Sequence, residues 1–529
     1  MMVRRRSAMA SALLVALAAP LAAQDAPPRV WVAGGELRGA VADGIAAFKG
    51  IPYAAAPVGP LRWRAPQPPA PWTGERDAAA FRADCLHEPD PGDAAPSAAP
   101  LSEDCLHLNV WRPAAAGALP VLVWIHGGGY MQGGSSPAIY DGSALAREGL
   151  VVVSLNYRLG RLGFFSHPAL QRAEEGETGN FALMDQIAAL RWVRDNVSAF
   201  SGDPAQVTVM GESAGGDAVA HLMTSPRSAG LFRRAVMLSG GGRGPLLGGL
   251  PLEAGPETRS ALGVGRVFAE GHGIVGDGPE AMAALRALPA ATVNRGVNIP
   301  GQGANQRLPE SYARGPILDG AIVVGTPGQI LHAGGARVPL LIGTTGADIS
   351  LTPLPDADPL SVFGPDRAQA EAAYAAAGAA ESLPPAIGAD LTMQEPARFA
   401  AREATRAGLP AWLYRFDYVA TSERADTPGA RHATELPYLF GTLPARYPAV
   451  APQDQAASTL FRRAIARFAQ SGDPNGPGLP AWPRHDPAHE GIMLFGREGG
   501  AQFGPDPWRD RLDAVERVQP SPPPVSAVR

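Results

Sequence analysis

Val207-Thr208-Val209-Met210-Gly211-Glu212-Ser213-Ala214-Gly215 passes from a β-branched run, through a serine flanked by glycines, into a helix-compatible stretch over 214–223. A serine on a tight strand-to-helix turn is pushed out of the sheet, where a base can reach its hydroxyl. Glycines two before and two after it let the backbone turn sharply without side-chain clash. The letters G-x-S-x-G alone fit many bland loops. Placed after a strand and before a helix, they make Ser213 a candidate nucleophile.

The surroundings of this turn predict an α/β architecture. Residues 121–125 (VLVWI) and 151–155 (VVVSL) are near-continuous apolar runs, as expected of strands buried on both faces. Between Phe181 and Phe200, Leu183, Ile187, Leu190, Val193 and Val197 recur at helical spacing, and 235–238 reads as one more short strand. Strand, helix, strand, helix, strand implies a parallel sheet. The Gly/Ala-rich segment 241–315, with weak helical patches such as 280–288, reads as a helical insertion over the sheet's carboxyl edge. Strand signals return at 338–342 and 411–418. A last helix around 457–470 turns Phe461, Ile465 and Phe468 inward and ends at Gly472. Upstream, residues 30–32 and 46–48 look β-like and the Pro-rich 58–72 reads as irregular surface chain. The expected organisation is a single domain over 24–519, then a disordered Pro-rich tail at 520–529.

Composition narrows the function. The chain has 529 residues, 46% hydrophobic, and a net charge of −5, with Lys49 its single lysine. No basic stripe, zinc-finger spacing or Walker-type loop is present, so nucleic acid is not an expected partner. Arg4-Arg5-Arg6, the apolar 8–19 and the small residues Leu21-Ala22-Ala23 follow the order of a secretory signal peptide over 1–23. Pro20 and Gln24 cut the apolar run below the roughly 20 residues of a membrane anchor. Export to the periplasm or the medium is expected, by the general or the twin-arginine route. An oxidising compartment favours pairing the two cysteines, Cys85 and Cys105, over two free buried thiols.

A serine hydroxyl needs a base to take its proton and donors for the oxyanion formed on the attacked carbonyl. His126-Gly127-Gly128-Gly129-Tyr130 follows the 121–125 strand, and consecutive glycines let backbone N–H groups converge on one point. The alternative is a flexible glycine turn. Two half-motifs, each at the carboxyl end of a strand, argue for a paired role.

At this point the sequence resembles a family. The HGGG and GESAG segments, together with Ser102-Glu103-Asp104-Cys105-Leu106, Asn156-Tyr157-Arg158, Gly179-Asn180, Asp185-Gln186 and Phe200-Ser201-Gly202-Asp203-Pro204, look like type-B carboxylesterases. These form the cholinesterase/lipase branch of the α/β-hydrolases. The resemblance runs from about Val30 to the final helix. It implies an α/β-hydrolase fold, with the main-chain N–H groups of Gly128, Gly129 and Ala214 as oxyanion-hole donors. It also implies a Cys85–Cys105 bridge and the ion pairs Arg62–Glu103 and Arg158–Asp185.

In this fold the acid and then the histidine follow the serine. Of the downstream histidines, His221 falls in the helix after the nucleophile; His272 and His332 sit beside glycines; His485 and His489 lie in a polar, Pro-containing loop. His432 stands in Arg431-His432-Ala433-Thr434-Glu435-Leu436-Pro437-Tyr438-Leu439-Phe440-Gly441, which looks like the family's H-G-x-E-L-P-Y-V-F-G. It is the candidate base, with Ala433 where the family has Gly. The acid resembles the family's G-x-x-x-D-E turn in Gly343-Thr344-Thr345-Gly346-Ala347-Asp348: Asp348 takes the place of the family's Glu, one methylene shorter. Its competitors are Asp319, expected in a turn with Gly320, and Glu435, expected to act behind His432. Ser239 matches a family serine that can support the acid, although Leu238 replaces the usual Gln.

The sequence thus predicts an exported serine esterase that acts on small-molecule esters through an acyl-enzyme. Neither a cofactor nor a metal is implied, and the expected state is a monomer or weak oligomer. A lipase, or an esterase for a polyester, plant ester or mycotoxin tricarballylate ester, is a narrower alternative. A non-catalytic cholinesterase-like adhesion module is a rival from another class; such modules have lost triad members, whereas serine, histidine and a usable acid are all present here.

Overall fold

The computed structural model describes residues 27–114, 117–173, 179–255, 258–299, 308–355, 358–377 and 383–524. The expected signal peptide, and residues 525–529 of the tail, lie outside them. Its main sheet has 11 strands. In chain order they are β1 (Ala40–Ala42), β2 (Ile45–Pro52), β3 (His107–Pro113), β4 (Leu119–Ile125), β5 (Val151–Leu155) and β6 (Gly202–Glu212). Then follow β7 (Arg234–Leu238), β8 (Leu340–Thr345), β9 (Ala411–Phe416), β10 (Gly491–Phe495) and β11 (Ala501–Pro505). Across the sheet the order is β11-β10-β9-β8-β7-β6-β4-β5-β3-β2-β1. The strands from β10 through β5 in that order run parallel, with antiparallel strands at both ends.

Every residue of β5, β7, β8 and β9 is buried, which is why apolar side chains dominate them, although Arg234 and Arg415 are buried there too. Alternate residues feed two cores, one on each face of the sheet. Val121, Val123 and Ile125 of β4 enter one, where helix α1 (Phe181–Asn196) lays Leu183, Ile187, Leu190 and Val193. Leu122 and Trp124 enter the other, with Phe461, Ile465 and Phe468 of the long helix Pro452–Ser471. Gly472 ends that helix in the left-handed conformation, φ 78°.

The connections place the site. The chain leaves β4 toward β5 on one side, whereas β6, on the other side of β4, leads through helix α2 (Ala214–Thr224) to β7. The loops after β4 and β6 therefore diverge, and a crevice opens at their carboxyl ends. His126–Gly129 and Ser213 are the residues at its lips.

Several stretches depart from the sequence reading. Within 58–72, Trp63 is buried and its indole N–H donates to the Arg161 carbonyl oxygen at 2.8 Å, so this irregular chain is anchored in the core. The segment 241–315, by contrast, carries helices Ala261–Glu270, Pro279–Ala287 and Ala290–Val293, in keeping with the helical patches read there. Strands β10 and β11 and the helices Glu395–Arg406 and Arg509–Val518 were not legible. Both ion pairs implied by the family resemblance are formed and bidentate: Arg62 to Glu103 at 2.7 and 2.6 Å, Arg158 to Asp185 at 2.8 and 2.7 Å.

Cys85 and Cys105 form a disulfide across a sequence separation of 20. The loop it closes brings Asp90 to Ala95 against the crevice. Cross-linking a loop of this length restricts the unfolded chain by roughly 3 kcal/mol. Replacing both cysteines by serine is expected to lower unfolding stability by about that amount, read from urea denaturation. A variant as stable as the parent would contradict this account.

Candidate active site

Ser213 sits at the tip of the β6–α2 turn with φ 55° and ψ −125°, a conformation that a non-glycine residue adopts only under restraint. Its N–H donates to the Leu238 carbonyl oxygen at the end of β7, 2.9 Å away. A Cβ on Gly215 would lie 2.1 Å from the Ile125 carbonyl oxygen, so only glycine lets helix α2 come this close to the end of β4. The same packing brings the loop after β4 beside the serine.

In that loop Gly128 has φ 96°, and a Cβ there would meet the Gln132 carbonyl oxygen at 2.2 Å. The Gly128 carbonyl in turn accepts from the N–H groups of Met131 and Gln132, at 3.0 Å each, closing a tight turn. No hydrogen bond among the described residues uses the N–H of Gly128 or Gly129. Ala214 is the first residue of α2, so its N–H has no intrahelical acceptor. Gly128, Gly129 and Ser213 border one cavity of about 530 Å³, which His432 also lines.

His432 Nδ1 lies 2.6 Å from Asp348 Oδ1. Asp348 is otherwise held by Ser239 Oγ at 2.6 Å and by the N–H groups of Thr345 and Ile349 at 3.1 and 2.8 Å. The loops that carry Asp348 and His432 are tied together. Ala347 pairs with Arg431 in a parallel bridge, and the Ala347 N–H donates to the Ala430 carbonyl oxygen at 2.8 Å. Ala433, where the family has glycine, has φ 65°, so the substitution leaves a left-handed alanine beside the base, at a cost of about 1 kcal/mol. Of the competing acids, Asp319 serves its own loop, its Oδ1 accepting from the N–H groups of Ala321, Ile322 and Val323.

Two further carboxylates face His432. Nε2 lies 3.1 Å from Glu212 Oε1, and neither atom has a hydrogen-bond partner among the described residues. Glu435 is fully buried with both oxygens likewise unbonded. Burial pushes the Glu212 carboxyl up to about 7, against the pull of the imidazole. Burial and then the neighbouring Glu212 push Glu435 well above the ordinary carboxylate range. For His432 burial acts downward, but the Glu212 and Asp348 charges outweigh it and raise the imidazole above its ordinary value. Asp348 is shifted up by burial and more strongly down by His432 and its hydrogen bonds, so it stays ionised. The role of Glu212 was missed at the sequence level, although it is the residue before the serine.

A loop-borne serine, a buried acid–histidine pair and two free main-chain donors around one cavity match what acyl transfer requires. A profile of the carboxylesterase family matches residues 26–363 and 384–506.

The chain belongs to the carboxylesterase family.

It is 34% identical to the fumonisin B1 esterase of Sphingopyxis macrogoltabida over 524 residues, 93% of this chain and 91% of that protein. It is 33% identical to the para-nitrobenzyl esterase of Bacillus subtilis (strain 168), covering 87% of this chain and 93% of that one. A solved PNB esterase superposes with a TM-score of 0.78 at 31% identity, over 92% of this chain and 99% of that one. The carboxylesterase of Geobacillus stearothermophilus gives 0.75 at 33% identity over the same shares. The fold is therefore the α/β-hydrolase fold, and this carboxylesterase is a carboxylic ester hydrolase.

The charge pattern predicts how the imidazole titrates. Glu212→Gln removes a negative charge 3.1 Å from Nε2, so the raised His432 pKa must fall. Neutral imidazole would then persist to lower pH. NMR titration of histidine-labelled protein should show one resonance moving its midpoint downward in the variant. An unmoved or raised midpoint would refute the coupling.

Proposed function

We propose that this carboxylesterase cleaves its ester through an acyl-enzyme on Ser213. His432 Nε2 takes the Oγ proton as Oγ bonds to the carbonyl carbon, then gives that proton to the leaving alcohol. Asp348 holds the imidazole in the tautomer with its proton on Nδ1 and stabilises the imidazolium. The N–H groups of Gly128, Gly129 and Ala214 receive the oxyanion. Water then attacks the acyl carbon, with His432 again as base, and the acid product leaves. The observation that carries this reading is the buried 2.6 Å Asp348–His432 contact opening onto the cavity that Ser213 lines.

The cavity favours a small to medium ester. Leu246, Leu247, Ile299, Ile349 and Leu351 form its apolar wall, while Asp90, Asp93, Arg431 and Arg446 give a polar remainder. An apolar acyl group fits the first and a polar alcohol the second. A lipase would carry a broad exposed apolar cap. Among the described residues the exposed large apolar side chains are Trp31, Val58, Val267 and Val275, and none lines the cavity. Fumonisin B1, after the relative that bears its name, belongs in a substrate panel beside simple aryl and alkyl esters.

Ser213→Ala is expected to abolish p-nitrophenyl ester turnover and fluorophosphonate labelling with the fold intact. Asp348→Asn should retain labelling while lowering kcat about 10⁴-fold. Full activity in the serine variant would end the assignment.

Export completes the proposal. The signal-like residues 1–23 and the Cys85–Cys105 disulfide support it. Among the described residues no helix is long and apolar enough to cross a membrane. N-terminal sequencing of protein recovered from the periplasm or medium should begin at Gln24. Retention of an uncleaved chain in the cytosol would count against export.

A further inference from the structure

Asp217 lies one turn into helix α2, and its N–H donates to the Ser213 carbonyl oxygen at 2.9 Å. Its carboxyl is fully buried. Oδ2 accepts from the Tyr130 hydroxyl at 2.9 Å and Oδ1 from the Leu246 N–H at 3.2 Å. Tyr130 is the residue after Gly129 in the oxyanion loop, and Leu246 belongs to the cavity wall. One carboxyl therefore reaches, from the helix that carries the serine, to two separate parts of the cavity.

Nothing about folding requires an acid there. The basic side chain beside it is His221, whose Nε2 is 3.6 Å from Oδ2, and burial pushes that imidazole down to about 3, leaving it neutral. A buried carboxyl without a countercharge costs stability, and an apolar side chain would fill the space more cheaply. The first-turn position near the helix N-terminus offsets only part of that cost. Tyr130 is also well held without its hydroxyl: its ring sits edge-on to Phe164 at 5.0 Å, and its carbonyl accepts from the Gly160 N–H at 2.7 Å. The hydroxyl bond to Asp217 therefore adds registration more than packing.

We propose that Asp217 is a positioning residue for ester cleavage, holding the oxyanion loop through Tyr130 and the cavity wall through Leu246 in register with Ser213. The inference rests on the acyl-enzyme reading above. Its consequence lies in the transition state: if the loop is freed, the Gly128 and Gly129 donors drift from the developing oxyanion while ground-state ester binding changes little.

The test uses Asp217→Asn, Asp217→Ala and Tyr130→Phe in the full chain. The readouts are kcat, KM, thermal midpoint, fluorophosphonate labelling and inhibition by an aryl trifluoromethyl ketone. Ser213 Oγ adds to that ketone, the Oγ proton passes to His432, and the resulting hemiketal oxyanion loads the donors. Asp217→Ala should lower kcat by about tenfold or more, a part of the loss expected when one donor is removed. Ketone affinity should fall by a similar factor, with KM within twofold. Tyr130→Phe, the mildest change, should reproduce part of both losses. Its combination with Asp217→Asn should cost less than the product of the two separate effects. A lowered thermal midpoint with kcat and ketone affinity within twofold of the parent would overturn the proposal and leave Asp217 as packing. If Asp217→Ala does not fold, Tyr130→Phe decides by the same criterion. Failure of the parent to label at Ser213 would instead overturn the acyl-enzyme reading.

Discussion

Ser213 holds a backbone conformation, φ 55° and ψ −125°, that costs of order 1–3 kcal/mol and persists only where its surroundings over-determine it. Here the restraint is the parallel register of β4, β6 and β7. Gly211 at the end of β6 stands opposite Ile125 of β4 and Met237 of β7, so the three strands end nearly level. The serine N–H is taken up by the last residue of β7, and Gly215 rests against the last carbonyl of β4. The turn cannot relax without breaking contacts to both neighbours. The crevice, the placing of the glycine loop after β4 and the entry of α2 all follow from that arrangement.

The same sheet sets the electrostatics. Asp348 follows β8, Glu212 ends β6, and His432 sits between them on a loop bridged to the acid turn. Three acids converge on one imidazole, but they do not act alike. Asp348 has four hydrogen-bond donors and is held below the ordinary carboxylate range; Glu435 has none among the described residues and is pushed well above it. Glu212 lies between these limits, balanced between burial and the imidazole charge. The asymmetry in donors, more than the number of acids, decides which one stays charged beside His432.

Much of this was legible because the relevant physics is local in sequence. Strands buried on both faces write apolar runs, and a turn that tolerates no Cβ writes glycine, so 121–125, 151–155 and the Ser213 turn stood out. What was missed depends on distant partners. Helix Glu395–Arg406 looks polar, yet Glu395, Arg398 and Glu403 are buried. Arg243 neutralises Glu395, while Asp513 and Glu516 of the last helix hold Arg398. Ion pairs between segments over a hundred residues apart leave no periodicity to read. Strand β11 is short, edge-placed and contains Gly504 and Pro505, which weakened its signal in the same way. Glu212 was in plain view, but its role needs the loop of His432 folded over it.

Two of the departures from the family pattern, Asp348 and Ala433, lie on one connected piece of structure. Asp348 is one methylene shorter than the glutamate of the family pattern, and the Ala347–Arg431 bridge ties its loop to the loop of His432. Ala433, two residues past the bridge, accepts a left-handed φ of 65° to bring Glu435 and the following helix into place. A loop free to move would relieve the alanine by unwinding, and the contact to Asp348 would lengthen. The bridge prevents this by fixing the chain on the other side of His432. The Ala347–Arg431 bridge, the left-handed Ala433 and the 2.6 Å Asp348–His432 contact thus surround one imidazole. His432 is held between a bridge before it and a buried helix after it, which leaves the imidazole little freedom except about its own side-chain torsions.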